Sequence, residues 1–191
     1  MSLATSLDPA IELLLRLFLA SILIQAATHK LRASDRFRAD LAGYDLLPES
    51  GLAAFAWLIP GVEIAIALGL VFGLLFGPLL GSHAAAAGAA AILLALYSGA
   101  IAINLQRGRR DIACGCGGPA DRRSIGAEIL LRNALLILLA LACTLPVGSR
   151  ALTGVDVPTL LGGWLAAIFL YAASESALAN RDRQRLWSEI S

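Results

Sequence analysis

Charged residues are scarce in this 191-residue chain, at 15% of the total, where a soluble domain carries about 25%. That shortage excludes an ordinary water-soluble domain. Net charge is only +1, so there is no cationic excess to neutralise phosphates, and a nucleic-acid partner is excluded as well. Ligating residues are few: two histidines and three cysteines, with no second cysteine pair. A closed tetrahedral zinc site needs four suitable ligands, and His29 and His83 belong to different segments from the cysteines. No lysine or arginine precedes the first apolar run, which Arg16 and Gln25 interrupt, so a cleaved signal peptide is not indicated and the first helix is expected to be retained. Long polar linkers, repeats and a soluble domain are lacking too.

What the chain has is apolar residues, 58% of it, with a mean hydropathy of +0.76. They fall in blocks close to the ~20 residues that cross a bilayer as a helix. The expected fold is all-α, a polytopic membrane bundle forming one domain over residues 1–191. About five spans are expected, near 9–28, 52–76, 83–105, 126–146 and 157–178, with four as the lower count. The tract "HAAAAGAAA" opening the third span is read as packing surface, because small residues let membrane helices approach closely. Loop one (30–51) and loop three (106–125) are the only sizeable polar segments.

Cations set the expected orientation. Loop one holds Lys30, Arg32, Arg36 and Arg38, loop three holds Arg107, Arg109, Arg110, Arg122 and Arg123, and the tail holds Arg181, Arg183 and Arg185. Five spans put these twelve on one side against Arg150 alone on the other. The positive-inside rule then places loops one and three and the C-terminus in the cytoplasm of a bacterial inner membrane, with the N-terminus outside.

Loop three carries the one reactive-looking motif, "RGRRDIACGCGGPADRRSIG". Cys114 and Cys116 are two residues apart, within disulfide reach of each other. A ring that small is strained, and strained, exposed disulfides are the labile and catalytic ones. Gly115 eases the turn, and Gly117, Gly118 and Pro119 keep the following backbone clear for an approaching partner disulfide. Neighbouring arginines, Arg110 among them, favour the thiolate that attacks. Two duller readings compete: a metal site, and a reduced inert pair of the kind usual in the cytosol. Cys143 lies about seventeen helical residues into the fourth span, a rise of ~25 Å, too far to pair with the motif, and is read as a small buried apolar residue.

Charges inside the spans point to a constructed interior. Glu12 and Arg16 are four apart on one helical face, as are Glu128 and Arg132. "IPGVE" sets Pro60 and Gly61 just ahead of Glu63, where proline is expected to open the helix locally. A mid-membrane carboxylate is costly, so Glu63 is expected to be neutralised by Arg16 or by a proton. It is read either as half of a structural ion pair or as a proton or quinone site. Arg132 and Asn133 open the fourth span on the cysteine side and are expected to support the motif.

The segments "HKLRASDRFRADLAGYDLLP", "PGVE", "INLQRGRRDIACGCGG" and "LLRN" together resemble the MauE/DoxX group of redox-associated membrane proteins, its MauE branch above all. The resemblance runs from about Arg16 to Asn133; it departs at Gly117, where the group usually has an aromatic residue. It implies an accessory role in maturation, processing or transport of the disulfide-rich small subunit of methylamine dehydrogenase, alongside a thioredoxin-like partner, MauD. Cys114 and Cys116 would then be the exchanging pair of a thiol–disulfide oxidoreductase or electron relay. The competing function class is a non-catalytic scaffold or transporter subunit whose Cys-Gly-Cys loop is structural. Periplasmic disulfide chemistry suits an outward motif whereas the cations place it inside, so the pair either relays electrons across the membrane or sits on a loop folded back into the bundle.

Overall fold

The computed structural model describes residues 6–73, 82–109, 112 and 125–190, the side chains of 181–190 excepted. Among the described residues six helices follow one another: α1 (Pro9–Arg32), α2 (Ser34–Tyr44), α3 (Glu49–Phe72), α4 (His83–Gln106), α5 (Ala127–Ala142) and α6 (Asp156–Ile190). Among the described residues the one isolated β-bridge joins Leu7 to Val147.

Helix α1 starts where the sequence directs. Asp8 accepts a hydrogen bond from the Ala10 amide at 2.8 Å, and Pro9, which has no amide proton to leave unpaired, takes the first helical position. The helix runs four residues past the expected span and carries His29 and Lys30 into its last turns, so these two are helical and not part of a polar loop. Loop one is itself mostly the interfacial helix α2, whose Phe37, Leu41 and Tyr44 recur at helical spacing along one stripe. Helix α3 passes through Pro60 without a break, against the expected local opening.

Two sets of hydrogen bonds fix the ends of the bundle. At one end Leu7 donates to Pro146 O and Gly148 donates to Leu7 O, at 2.9 and 2.8 Å. Arg150 clamps Asp8 and Asp156 there, and its guanidinium holds the Asp8 carboxyl below the usual carboxylate range. At the other end Asn104 Nδ2 donates to Tyr44 O at 3.1 Å, and Ile125 N donates to Ile112 O at 3.0 Å, drawing the two feet of loop three together. The chain therefore passes between the two ends five times, through α1, α3, α4, α5 and α6. Four of these helices are long and apolar enough to cross a membrane; α5, at 16 residues, is the short one.

Packing relies on small residues. Ala87 and Ala90 of the alanine-rich tract are wholly buried, and a Cβ on Gly69 of α3 would sit 2.9 Å from Ala86 Cβ of α4. Without a hydrophobic drive between helices in lipid, such close approach supplies the van der Waals contact that holds them. Large apolar side chains instead line the outside, among them Ile92, Leu131, Leu138 and Phe169. This inversion suits a hydrocarbon solvent.

Candidate functional site

Among the described residues six polar or charged side chains are buried in the bundle: Glu12, Arg16, Lys30, Glu63, Asn104 and Asn133. Four of the charges form two separate clusters. Toward the Asp8 end, Arg16 Nη1 donates to Glu12 at 3.3 Å, Arg16 Nε donates to Leu70 O at 2.7 Å, and His83 Nε2 lies 3.6 Å from Glu12. The Glu12–Arg16 pair expected from its four-residue spacing is present. Cys143, fully buried with a free thiol, lies within the fourth expected span and caps the C-terminal end of α5.

The second cluster corrects the expected partner of Glu63. Glu63 is wholly buried, and its Oε1 accepts from Lys30 Nζ and, at 2.9 Å, from the Tyr97 hydroxyl. Arg16 does not neutralise it. Depth explains the difference: the Leu70 carbonyl that Arg16 engages lies seven residues beyond Glu63 on α3, a rise of ~10 Å. Lys30, by contrast, comes from the last turns of α1 and stacks between Phe37 and Tyr97, its nitrogen 5.5 and 5.1 Å from their ring centres. Cation–π contact helps to solvate an ammonium taken out of water.

Beside this triad is a polar cavity of about 110 Å³. Gln25 and His29 of α1, Glu63 of α3, Tyr97 of α4, Arg132 and Asn133 of α5, and Tyr171 and Glu175 of α6 all reach it. Arg132 donates to Glu175 at 3.2 Å and to Asn133 Oδ1 at 3.2 and 3.4 Å. Asn133 lines the cavity, and its Nδ2 is a buried donor with no hydrogen-bond partner among the described residues. A cavity of this size and polarity has room for several waters, and intramembrane ionisable groups of this kind mark proton relays and substrate paths. Asn133 is six residues into α5, a rise of ~9 Å from the helix start and so from the foot of loop three.

The structure brings together three of the sequence candidates, Glu63, Arg132 and Asn133, at one cavity, and sets Arg16 in the other cluster. Cys114, Cys116 and Arg110 lie outside the described residues. Sequence reasoning missed Lys30, Tyr97 and Glu175. A signal existed for the first: Arg16, Leu23 and Lys30 are spaced by seven, so Lys30 continues the buried stripe of α1. Glu175 fell inside the fifth expected span with no sequence-local partner to draw attention to it.

Long apolar helices around buried ion pairs and a polar cavity define a multi-pass α-helical membrane protein with an interior site. The chain belongs to a family within that class: the model of methylamine utilisation protein MauE matches residues 8–146. It is 35% identical over 170 residues to methylamine utilization protein MauE of Paracoccus denitrificans, covering 88% of each chain. It is 34% identical over 164 residues to the protein of the same name from Methylophilus methylotrophus, covering 85% of this chain and 82% of the relative. The MauE protein of Methylorubrum extorquens is 37% identical over 153 residues, covering 79% and 78%. No solved structure matches.

Proposed function

We propose that this protein serves methylamine utilisation as a membrane accessory factor. In this reading Cys114 and Cys116 exchange a disulfide with a thioredoxin-like partner during maturation of a disulfide-rich client. The observation that supports the proposal is the position of the described residues that flank the motif's loop. Its feet are drawn together at the Ile112–Ile125 bond, about two turns of α5 above the cavity lined by Glu63, His29 and Glu175. Thiol–disulfide exchange needs thiolates, hence a group to take and return protons. In the exchange the Cys114–Cys116 dithiol gives two electrons and two protons to the partner's disulfide, or the reverse.

Mixed-disulfide trapping tests it. Either Cys114→Ser or Cys116→Ser removes the thiol that would resolve a mixed disulfide, so one of the two is expected to accumulate covalently bound to its partner, visible as a reductant-sensitive band. Normal client maturation by the double variant Cys114→Ser/Cys116→Ser would instead make the loop structural and the protein a scaffold.

The cation bias supports a cytoplasmic face for loops one and three of a protein in the bacterial inner membrane. Ala39→Cys on the exposed face of α2 is expected to resist a membrane-impermeant maleimide in intact cells, and Ser82→Cys at the start of α4 to react. The opposite labelling pattern reverses this orientation.

A further inference from the structure

On the other side of the Lys30–Glu63–Tyr97 triad lies a second space, about 350 Å³, under the interfacial helix α2. Its walls are apolar, made by Phe37, Leu41, Leu47, Phe55, Ile59 and Leu96. Leu96 is 65% exposed on the lipid-facing surface, so the groove opens sideways to the bilayer rather than to water. Lys30 and Tyr97 reach its inner end, and Tyr97 lines the polar cavity as well. A buried ion pair thus stands between a lipid-side groove and a polar interior.

We propose that this groove binds a membrane quinone, with Lys30 and Tyr97 facing a quinone carbonyl. Three features select that chemistry. The charge of Lys30 is matched by Glu63, and Asp40 adds a carboxylate to the lining, so the groove holds no cationic excess and does not favour an anionic lipid headgroup. An ammonium has three donors and Glu63 takes one, which leaves donors for an acceptor oxygen that a plain acyl chain lacks. Phe37, Phe55 and Tyr97 supply flat walls for a ring, and 350 Å³ is within the ~300–1,000 Å³ range of small-molecule pockets. Reducing a quinone to a quinol takes two electrons and two protons. The triad and the polar cavity behind it supply the protons. The electrons come from a Cys114–Cys116 dithiol closing to its disulfide; this step rests on the redox reading above, whereas the binding does not.

The test separates the two. Protein reconstituted in nanodiscs free of quinone is titrated with a decyl-substituted benzoquinone, and saturable quenching of intrinsic fluorescence is read. Wild type and the double variant Cys114→Ser/Cys116→Ser are expected to bind alike. Ala100→Phe, which fills the groove from α4, and Leu96→Trp at its exposed mouth are each expected to weaken binding at least tenfold. Leu96 is exposed, so the second variant keeps the test intact should Ala100→Phe not fold. Unsaturable quenching, equal affinity in Leu96→Trp, or a retained phospholipid that the quinone does not displace would each overturn the proposal. Loss of binding in the cysteine double variant would do so as well, since the proposed site is made by the described lining residues alone.

Discussion

Lys30→Met is expected to deplete the folded protein severely. The substitution keeps an unbranched side chain of similar length but takes the ammonium away from Glu63, which is wholly buried and would keep the Tyr97 hydroxyl as its hydrogen-bond donor. Removing one partner of a buried pair costs roughly 3–5 kcal/mol, a large part of the about 5–15 kcal/mol that holds an ordinary domain folded. Glu63→Gln should be milder. The amide oxygen still accepts from Lys30 and Tyr97. The double variant Lys30→Met/Glu63→Gln removes both charges and is expected to recover much of the loss. Immunoblots of the membrane fraction and the unfolding midpoint of the detergent-purified protein give the comparison. Wild-type accumulation of Lys30→Met would show that Glu63 is neutralised by a proton, not by lysine.

How far the sequence reached depended on what each signal measures. Apolar block length reports how much chain can cross a bilayer, and the long helices appeared close to where the blocks lay. The fourth block overran: 126–146 became Ala127–Ala142, because the chain turns at Cys143 and Thr144, whose hydroxyl donates to Leu141 O at 2.7 Å. Helix α2 was hidden by its charges, although the spacing of Phe37, Leu41 and Tyr44 was readable in the sequence. Ion-pair partners were legible where they were local, as with Glu12 and Arg16 four residues apart. Pairs between helices were not, since hydropathy gives neither the rotation of a helix nor its depth. Thus Arg132 engages Glu175, 43 residues away, and Lys30 engages Glu63. The role expected of Arg132 toward the cysteines therefore begins from a guanidinium already bonded to a carboxylate and to Asn133.

That separation of depth can be measured directly. Arg16→Leu is expected to be strongly destabilising on its own, since it strips the guanidinium from Glu12 and the Nε donor from the Leu70 carbonyl in a site where Arg16 is 2% exposed. His83, 3.6 Å from Glu12 and more open to solvent, could compensate only in part. The expected cost is again roughly 3–5 kcal/mol, and Arg16→Leu/Glu12→Gln should regain much of it. Pairing Arg16→Leu with Glu63→Gln is the more informative cycle. If the clusters are independent, the two effects add to within about 0.5 kcal/mol, as they do for sites without a shared partner. Lys30→Met with Glu63→Gln should instead couple by roughly 0.5–3 kcal/mol or more, as residues in direct contact do. Unfolding of the four single and three double variants in one detergent, at one pH, supplies both numbers. Strong coupling between Arg16 and Glu63 would mean that the two clusters act as one charge network along the bundle axis. The division of the interior into a structural pair near Asp8 and a working pair near the cavity would then be wrong.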